Sequence, residues 1–94
     1  MGRVKVPGSN KNHRVHLYTL STCVWCKKTK QLLKDKGVEY EYVDLDTADP
    51  KERQEALTDI QGRGLRVSVP IIIIDENKVI TGFKEEEIRE ALIL

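Results

Sequence analysis

The sequence predicts a small α/β domain in which strands and helices alternate in the order βαβαββα. Three observations predict it. The spacing of apolar residues switches repeatedly between a period of two and a period near 3.6. The isoleucine-rich run of residues 69–75 has strand length and the pattern of a central strand covered on both faces. Glycines at 37, 62 and 82 punctuate the periodic segments. Ninety-four residues suit one domain, able to bury roughly 60 to 65% of its unfolded surface without a structural metal or disulfide.

The first predicted strand, residues 14–20, alternates polar and apolar and is rich in residues that favour strands. Ser21 and Thr22 then supply hydroxyls suited to a turn or cap, and residues 27–36 are dense in helix formers until Gly37. The helix should therefore start at the chain's only two cysteines, Cys23 and Cys26. Cys26, Thr29 and Leu33 fall on one inward face, which leaves Cys23 as the accessible sulfur and turns Lys27, Lys28, Lys30 and Lys34 largely to water. A cysteine at a helix N-terminus meets unpaired N–H groups and the positive end of the helix dipole, which favour its thiolate, the nucleophilic form. Cys23-Val24-Trp25-Cys26 thus suits reversible thiol–disulfide exchange.

Residues 39–44 repeat with period two and suit a second strand beside the first. Asp49-Pro50 places a capping carboxylate before a proline at a first helical position, opening a helix over residues 50–61 with Ala56, Leu57 and Ile60 inward and Gly62 as its stop. Residues 62–66 read as a loop. After the apolar run, Glu76-Asn77 make a tight turn into a short edge strand at residues 78–81, and residues 84–92 form the last helix with Ile88, Ala91 and Leu92 inward.

Composition excludes several functions. The 39% apolar and 33% charged fractions describe a soluble globular chain, and the longest apolar run is far too short to cross a bilayer. No secretory signal pattern precedes the domain, so a cytoplasmic location is expected, where a lone cysteine pair serves catalysis rather than stapling. Residues 1–14 carry Arg3, Lys5, Lys11 and Arg14 and no acid, against a formal net charge of +1 for the whole chain. Residues 1–13 also contain Pro7-Gly8-Ser9-Asn10 and lack a sustained period, which reads as a flexible basic arm before a domain at 14–94. The arm has no aromatic residue for base stacking, so nucleic acid is not an expected partner.

Three landmarks now coincide in order: Cys23-x-x-Cys26 after the first strand, Ser68-Val69-Pro70 before the third and Gly82 after the fourth. Over residues 14–92 the chain resembles the glutaredoxins of the thioredoxin fold. The resemblance implies a four-stranded mixed sheet of order 2-1-3-4, with the first and third helices on one face and the second on the other. It implies a cis Pro70 packed against the cysteine pair, and substrate contacts from the Val69 backbone, Pro70 and Gly82; Trp25, expected to be exposed near the sulfurs, would add a contact that a partner could cover. Cys23 would be the attacking thiol and Cys26 the resolving one, with Lys27 and Arg66, and also Lys28 and Arg63, lending positive charge near the thiolate. Phe83 would pack beneath the last helix. Many glutaredoxins carry Pro-Tyr between the cysteines and Gly-Gly after the last strand; here Val24-Trp25 and Gly82-Phe83 stand there. Those steps look more like redoxins of the NrdH-redoxin type, which donate electrons to ribonucleotide reductase and are typically recharged by thioredoxin reductase. Protein disulfides are then the implied substrates, a monomer the implied state and no tightly bound cofactor is implied, while glutathione stays open as reductant. Two other classes compete. His13, His16, Cys23 and Cys26 supply four candidate zinc ligands, although His16 lies in a strand and His13 in the arm. Some relatives carry iron–sulfur clusters in glutathione-bridged dimers, for which this sequence gives no positive sign.

Overall fold

The isoleucine run becomes strand β4 (Ile71–Ile74), and all four of its side chains are buried, alternating between two cores. The structure, a computed structural model, describes residues 3–93. Ile72 and Ile74 join Val15, Leu17, Leu33, Ile80, Ile88 and Leu92 in one core, under helices α1 (Val24–Asp35) and α3 (Glu85–Leu92). Ile71 and Ile73 join Tyr18, Val43, Ala56 and Ile60 in the other, under α2 (Pro50–Gly62). A strand with apolar side chains on both faces must lie mid-sheet between layers, because either face left in water would forfeit about 1.5–3 kcal/mol per large side chain.

Strand β2 (Val15–Thr19) runs antiparallel to β4 and parallel to β3 (Tyr40–Asp44), and β5 (Lys78–Thr81) closes one edge. This is the expected thioredoxin-like arrangement with one correction, the number of strands. A fifth strand, β1 (Arg3–Val6), pairs antiparallel with β3, giving the order β1-β3-β2-β4-β5. The flexible-arm reading therefore fails for residues 3–6; residues 1–2 lie outside the described residues. The cause is local: Val4 and Val6 alternate with Arg3 and Lys5 at strand period, and Val6, opposite Tyr40, packs against the core. Beyond it, Gly8 passes so close to the Gly37–Glu39 backbone that a Cβ would lie 2.5 Å from the Gly37 carbonyl oxygen. Asn10 N–H then donates to that carbonyl at 2.9 Å, and Glu39 N–H to the Asn10 carbonyl at 3.0 Å.

Two other boundaries move. The second helix continues through Gly62, with Arg63 as its C-cap donating to the Asp59 carbonyl at 3.1 Å. The β4–β5 turn is centred on Asp75 and Glu76, at φ of 52° and 64°, rather than on Glu76 and Asn77. Asp75 is held there by His13 Nδ1 at 2.7 Å and Arg14 N–H at 2.9 Å on its carboxylate. Those contacts, the His13 bond first, lower its carboxyl below the usual range. Glu76 has no comparable anchor for its side chain, only an ion pair with Arg14 in which both partners are largely exposed. Glu76→Gly should therefore raise stability by on the order of 0.5 kcal/mol, as relief of left-handed strain outweighs glycine's entropy cost. Urea unfolding midpoints of the two proteins measure it.

Candidate active site

Strand β2 ends at Thr19, and a tight turn closed by Cys23 N–H on the Leu20 carbonyl, 3.2 Å, carries the chain to the cysteines. The turn is clamped from outside. Asp46 accepts the Ser21 N–H at 2.9 Å and also the Ser21 hydroxyl, and these bonds, the hydroxyl's first, hold the Asp46 carboxyl below its usual range. Cys23 is the N-cap of α1: its carbonyl accepts from Lys27 N–H at 3.1 Å, and its Sγ accepts from Cys26 N–H at 3.3 Å. A helix N-terminus leaves its first N–H groups without backbone partners, so one of them is directed onto this sulfur.

The two sulfurs differ sharply. Cys23 is partly exposed, whereas Cys26 has no exposure, and both are free thiols. Burial first, and then its neighbour Cys23, push the Cys26 thiol up to about 12. The folded state thus binds this proton more tightly than the unfolded chain, whose thiol titrates near about 8.5. The resulting stabilisation is complete below that value and is lost as pH rises from there through about 12. Iodoacetamide at about pH 8 is expected to modify Cys23 and spare Cys26, with a second adduct only as this alkaline window is entered. Intact-protein mass spectrometry across pH reads both adducts.

Register assembles the remaining residues. Tyr18 faces Ile71 and Ile71 faces Thr81, so Pro70 follows alongside Thr19 and Gly82 alongside Pro70, at the sheet end where the cysteine turn emerges. The Val69–Pro70 bond is cis, Pro70 is buried, and the Pro70 carbonyl accepts Gly82 N–H at 2.8 Å. Gly82 sits at φ 83°, a backbone conformation that glycine adopts without a Cβ penalty. Among the described residues, the backbone N–H and carbonyl of Val69 make no backbone hydrogen bond.

Trp25 is 54% exposed and stacks on Phe83, with ring centroids 5.9 Å apart and 22° between planes. Phe83 also packs against the core under α1 and α3, so it both fills the edge of that core and supports the exposed indole. This pairing across the chain was not visible in sequence. Lys28 Nζ lies 4.8 Å from the Trp25 ring centroid on the same helix. Val24 and Val67 are exposed apolar side chains in the helix start and in the loop before Pro70. Lys27 and Arg66 are exposed in those same two segments.

Other expected participants lie elsewhere. Arg63 is bound to Asp59 at 3.0 Å and to the Glu76 carbonyl at 2.8 Å, at the end of β4 opposite Pro70, so it is not part of a cationic ring about Cys23. His13 is joined to Asp75 at that far end, and His16 stands near the start of β2 beside Glu41. The four-ligand Cys/His site is not assembled, because a strand's length separates the histidines from the cysteine turn. No group of three or more metal-ligating side chains occurs among the described residues.

The Glutaredoxin family model matches residues 15–79, which span both cysteines, the cis proline and β4. The chain belongs to the glutaredoxin family. An uncharacterized glutaredoxin-like 8.6 kDa protein in the rubredoxin operon of Clostridium pasteurianum is 38% identical to it over 74 residues, covering 79% of this chain and 91% of that protein. The glutaredoxin of Methanosarcina mazei Go1 superposes with a TM-score of 0.86 at 45% identity, covering 100% of this chain and 90% of the other. Methanosarcina acetivorans methanoredoxin gives 0.79 at 46% identity, covering 86% and 85%. The NrdH-redoxin of Escherichia coli, described as a glutaredoxin-like protein with a thioredoxin-like activity profile, gives 0.63 at 28% identity, covering 82% and 92%. Among the described residues no helix is long and apolar enough to cross a membrane.

Proposed function

We propose that this chain is a dithiol thiol–disulfide oxidoreductase that reduces protein disulfides through Cys23 and Cys26 and serves as an electron carrier. The observation that carries this reading is the asymmetry of the pair: a partly exposed sulfur at a helix N-cap, three residues from a fully buried one. Cys23 thiolate attacks one sulfur of the substrate disulfide, and the other leaves as a thiolate and takes up a proton. Cys26 loses its proton, attacks Cys23 Sγ, breaks the mixed disulfide and releases the second substrate thiol. The substrate gains two electrons and the pair is left as a disulfide, which an external donor must reduce. Holding both sulfurs in one helical turn makes the second attack intramolecular, with a high effective concentration.

An extended substrate segment pairs with the Val69 backbone beside Pro70, with the Gly82 backbone, Trp25 and the exposed valines completing the surface. Lys27 and Arg66 add positive charge there and favour acidic neighbours of the substrate cysteine. Val24-Trp25 and Gly82-Phe83-Lys84 support the redoxin type over a dedicated glutathione enzyme, with a thioredoxin reductase as donor, ribonucleotide reductase as the target that the resemblance supplies, and the cytoplasm as the location. Their support is the Trp25–Phe83 stack, which fills the position where many glutaredoxins have a second glycine.

Reduction of a protein disulfide, followed as NADPH oxidation, separates the donors. Turnover with thioredoxin reductase and little with glutathione plus glutathione reductase is expected. The opposite preference would move the assignment to a glutathione-dependent glutaredoxin.

A further inference from the structure

The resolving step asks a fully buried thiol to ionise, and a charged group that favours this stands one helical turn away. Lys30 follows Cys26 by four residues, so the two share a face of α1. The sequence pattern turned Lys30 to water, yet its side chain is 19% exposed and is held at two points. Its Nζ lies 3.0 Å from Asp44 Oδ1 and 3.8 Å from the centroid of the Tyr42 ring. Asp44, 16% exposed at the end of β3, also accepts at 2.5 Å from the hydroxyl of Thr19, which is fully buried at the end of β2.

A pair this sheltered is a poor source of stability, because desolvation of both ions offsets their attraction. What it does accomplish is to fix a positive charge beside the buried cysteine, at the sheet end that carries Pro70. We propose that Lys30 is a positioning residue for the resolving step: its ammonium, fixed by Asp44 and the Tyr42 ring, stabilises the Cys26 thiolate as it forms, and Asp44 moderates that effect. This rests on the dithiol reading above. Against burial and Cys23, the Leu20 backbone first and then the field of Lys30 pull the Cys26 ionisation down.

Among the described residues, helix α1 offers Cys26 the neighbours Cys23 and Lys30, β3 offers Asp44 with the phenols of Tyr40 and Tyr42, the turn after β3 offers Asp46, which clamps Ser21 and also feels Lys30, and β4 offers none. Thr19 and Leu20 bring no charge from the β2 side, and Glu85, Glu86 and Glu87 of α3 are turned to solvent. In the step itself, Cys26 gives its proton to solvent, the Cys23 bond to the substrate sulfur breaks as the Cys23–Cys26 bond forms, and the departing thiolate is protonated.

Stopped-flow reaction of the reduced protein with the aromatic disulfide dithiobis(nitrobenzoate) separates the two attacks. The first thionitrobenzoate released reports Cys23, and the second reports Cys26. Lys30→Gln should slow the second phase by about tenfold at neutral pH, raise its pH midpoint and leave the first within about twofold, since one pKa unit changes the thiolate fraction tenfold. Lys30→Arg should restore the second phase. Asp44→Asn should shift its midpoint downward, a sign that loss of a merely structural tie would not produce. An unchanged second phase in Lys30→Gln, failure of arginine to rescue, or an upward shift in Asp44→Asn would each overturn the proposal. A wild-type protein releasing a single thionitrobenzoate would instead overturn the dithiol reading on which it rests.

Discussion

Cys23→Ser is expected to bring reduction of a protein disulfide to background, while Cys26→Ser is expected to stop the reaction one step later. The two effects differ because the sulfurs stand in different places. Cys23 is the partly exposed one, with Cys26 N–H directed at its Sγ, so a serine there leaves no nucleophile that a substrate can reach. Cys26 is wholly buried and can meet only a sulfur already attached to Cys23. Cys26→Ser should thus accumulate a covalent adduct on Cys23, seen as one added substrate mass that a reductant removes. Retained turnover by Cys23→Ser would contradict the account, as would an adduct found on Cys26 in that variant.

The largest expected loss of stability comes from the middle of the sheet. Ile72 is fully buried in the core shared with Leu17, Leu33 and Ile88, between two paired strands and under two helices. Little can collapse into the space its side chain would leave, so Ile72→Ala should cost about 2–5 kcal/mol. That is a large share of the roughly 5–15 kcal/mol available to a small domain. Val67, 52% exposed in the loop before Pro70, serves as the control: its replacement by alanine should change stability by less than about 0.5 kcal/mol. Denaturant unfolding of both variants measures the contrast.

Much of this fold was legible because its signals are local. The unbroken isoleucines could only be covered on both faces, Asp49-Pro50 marked a helix start whose cap bond to Glu52 N–H is 2.8 Å, and Cys26, Thr29 and Leu33 share the buried face their spacing assigns. What escaped depended on pairing across the chain. Strand β1 is only four residues long and is held by β3, so its weak alternation acquires meaning only once a partner edge exists. The left-handed Asp75 and Glu76 are set by the hairpin and by His13, sixty-two residues away in sequence from Asp75, rather than by a glycine at the turn. At the site, the cysteine pair and Pro70 were readable from motif and order. The Trp25–Phe83 stack, the Ser21–Asp46 clamp and the Thr19–Asp44–Lys30 network were not, since each joins residues from separate elements. Arg63 shows the converse: its charge was expected near the thiolate, but Asp59 and the Glu76 carbonyl draw it to the other end of the sheet.

The most direct test of the central claim is an equilibrium redox titration of the Cys23–Cys26 couple, followed by Trp25 fluorescence and by mass spectrometry of each mixture. Trp25 lies between the two cysteines, so its fluorescence is expected to follow their state. A single reversible two-electron transition is expected, with a midpoint near about −270 mV and no glutathione adduct. A midpoint of about −200 to −230 mV with an adduct on Cys23 would keep the dithiol chemistry and reassign the donor to glutathione. Absence of any reversible Cys23–Cys26 disulfide would contradict the account itself.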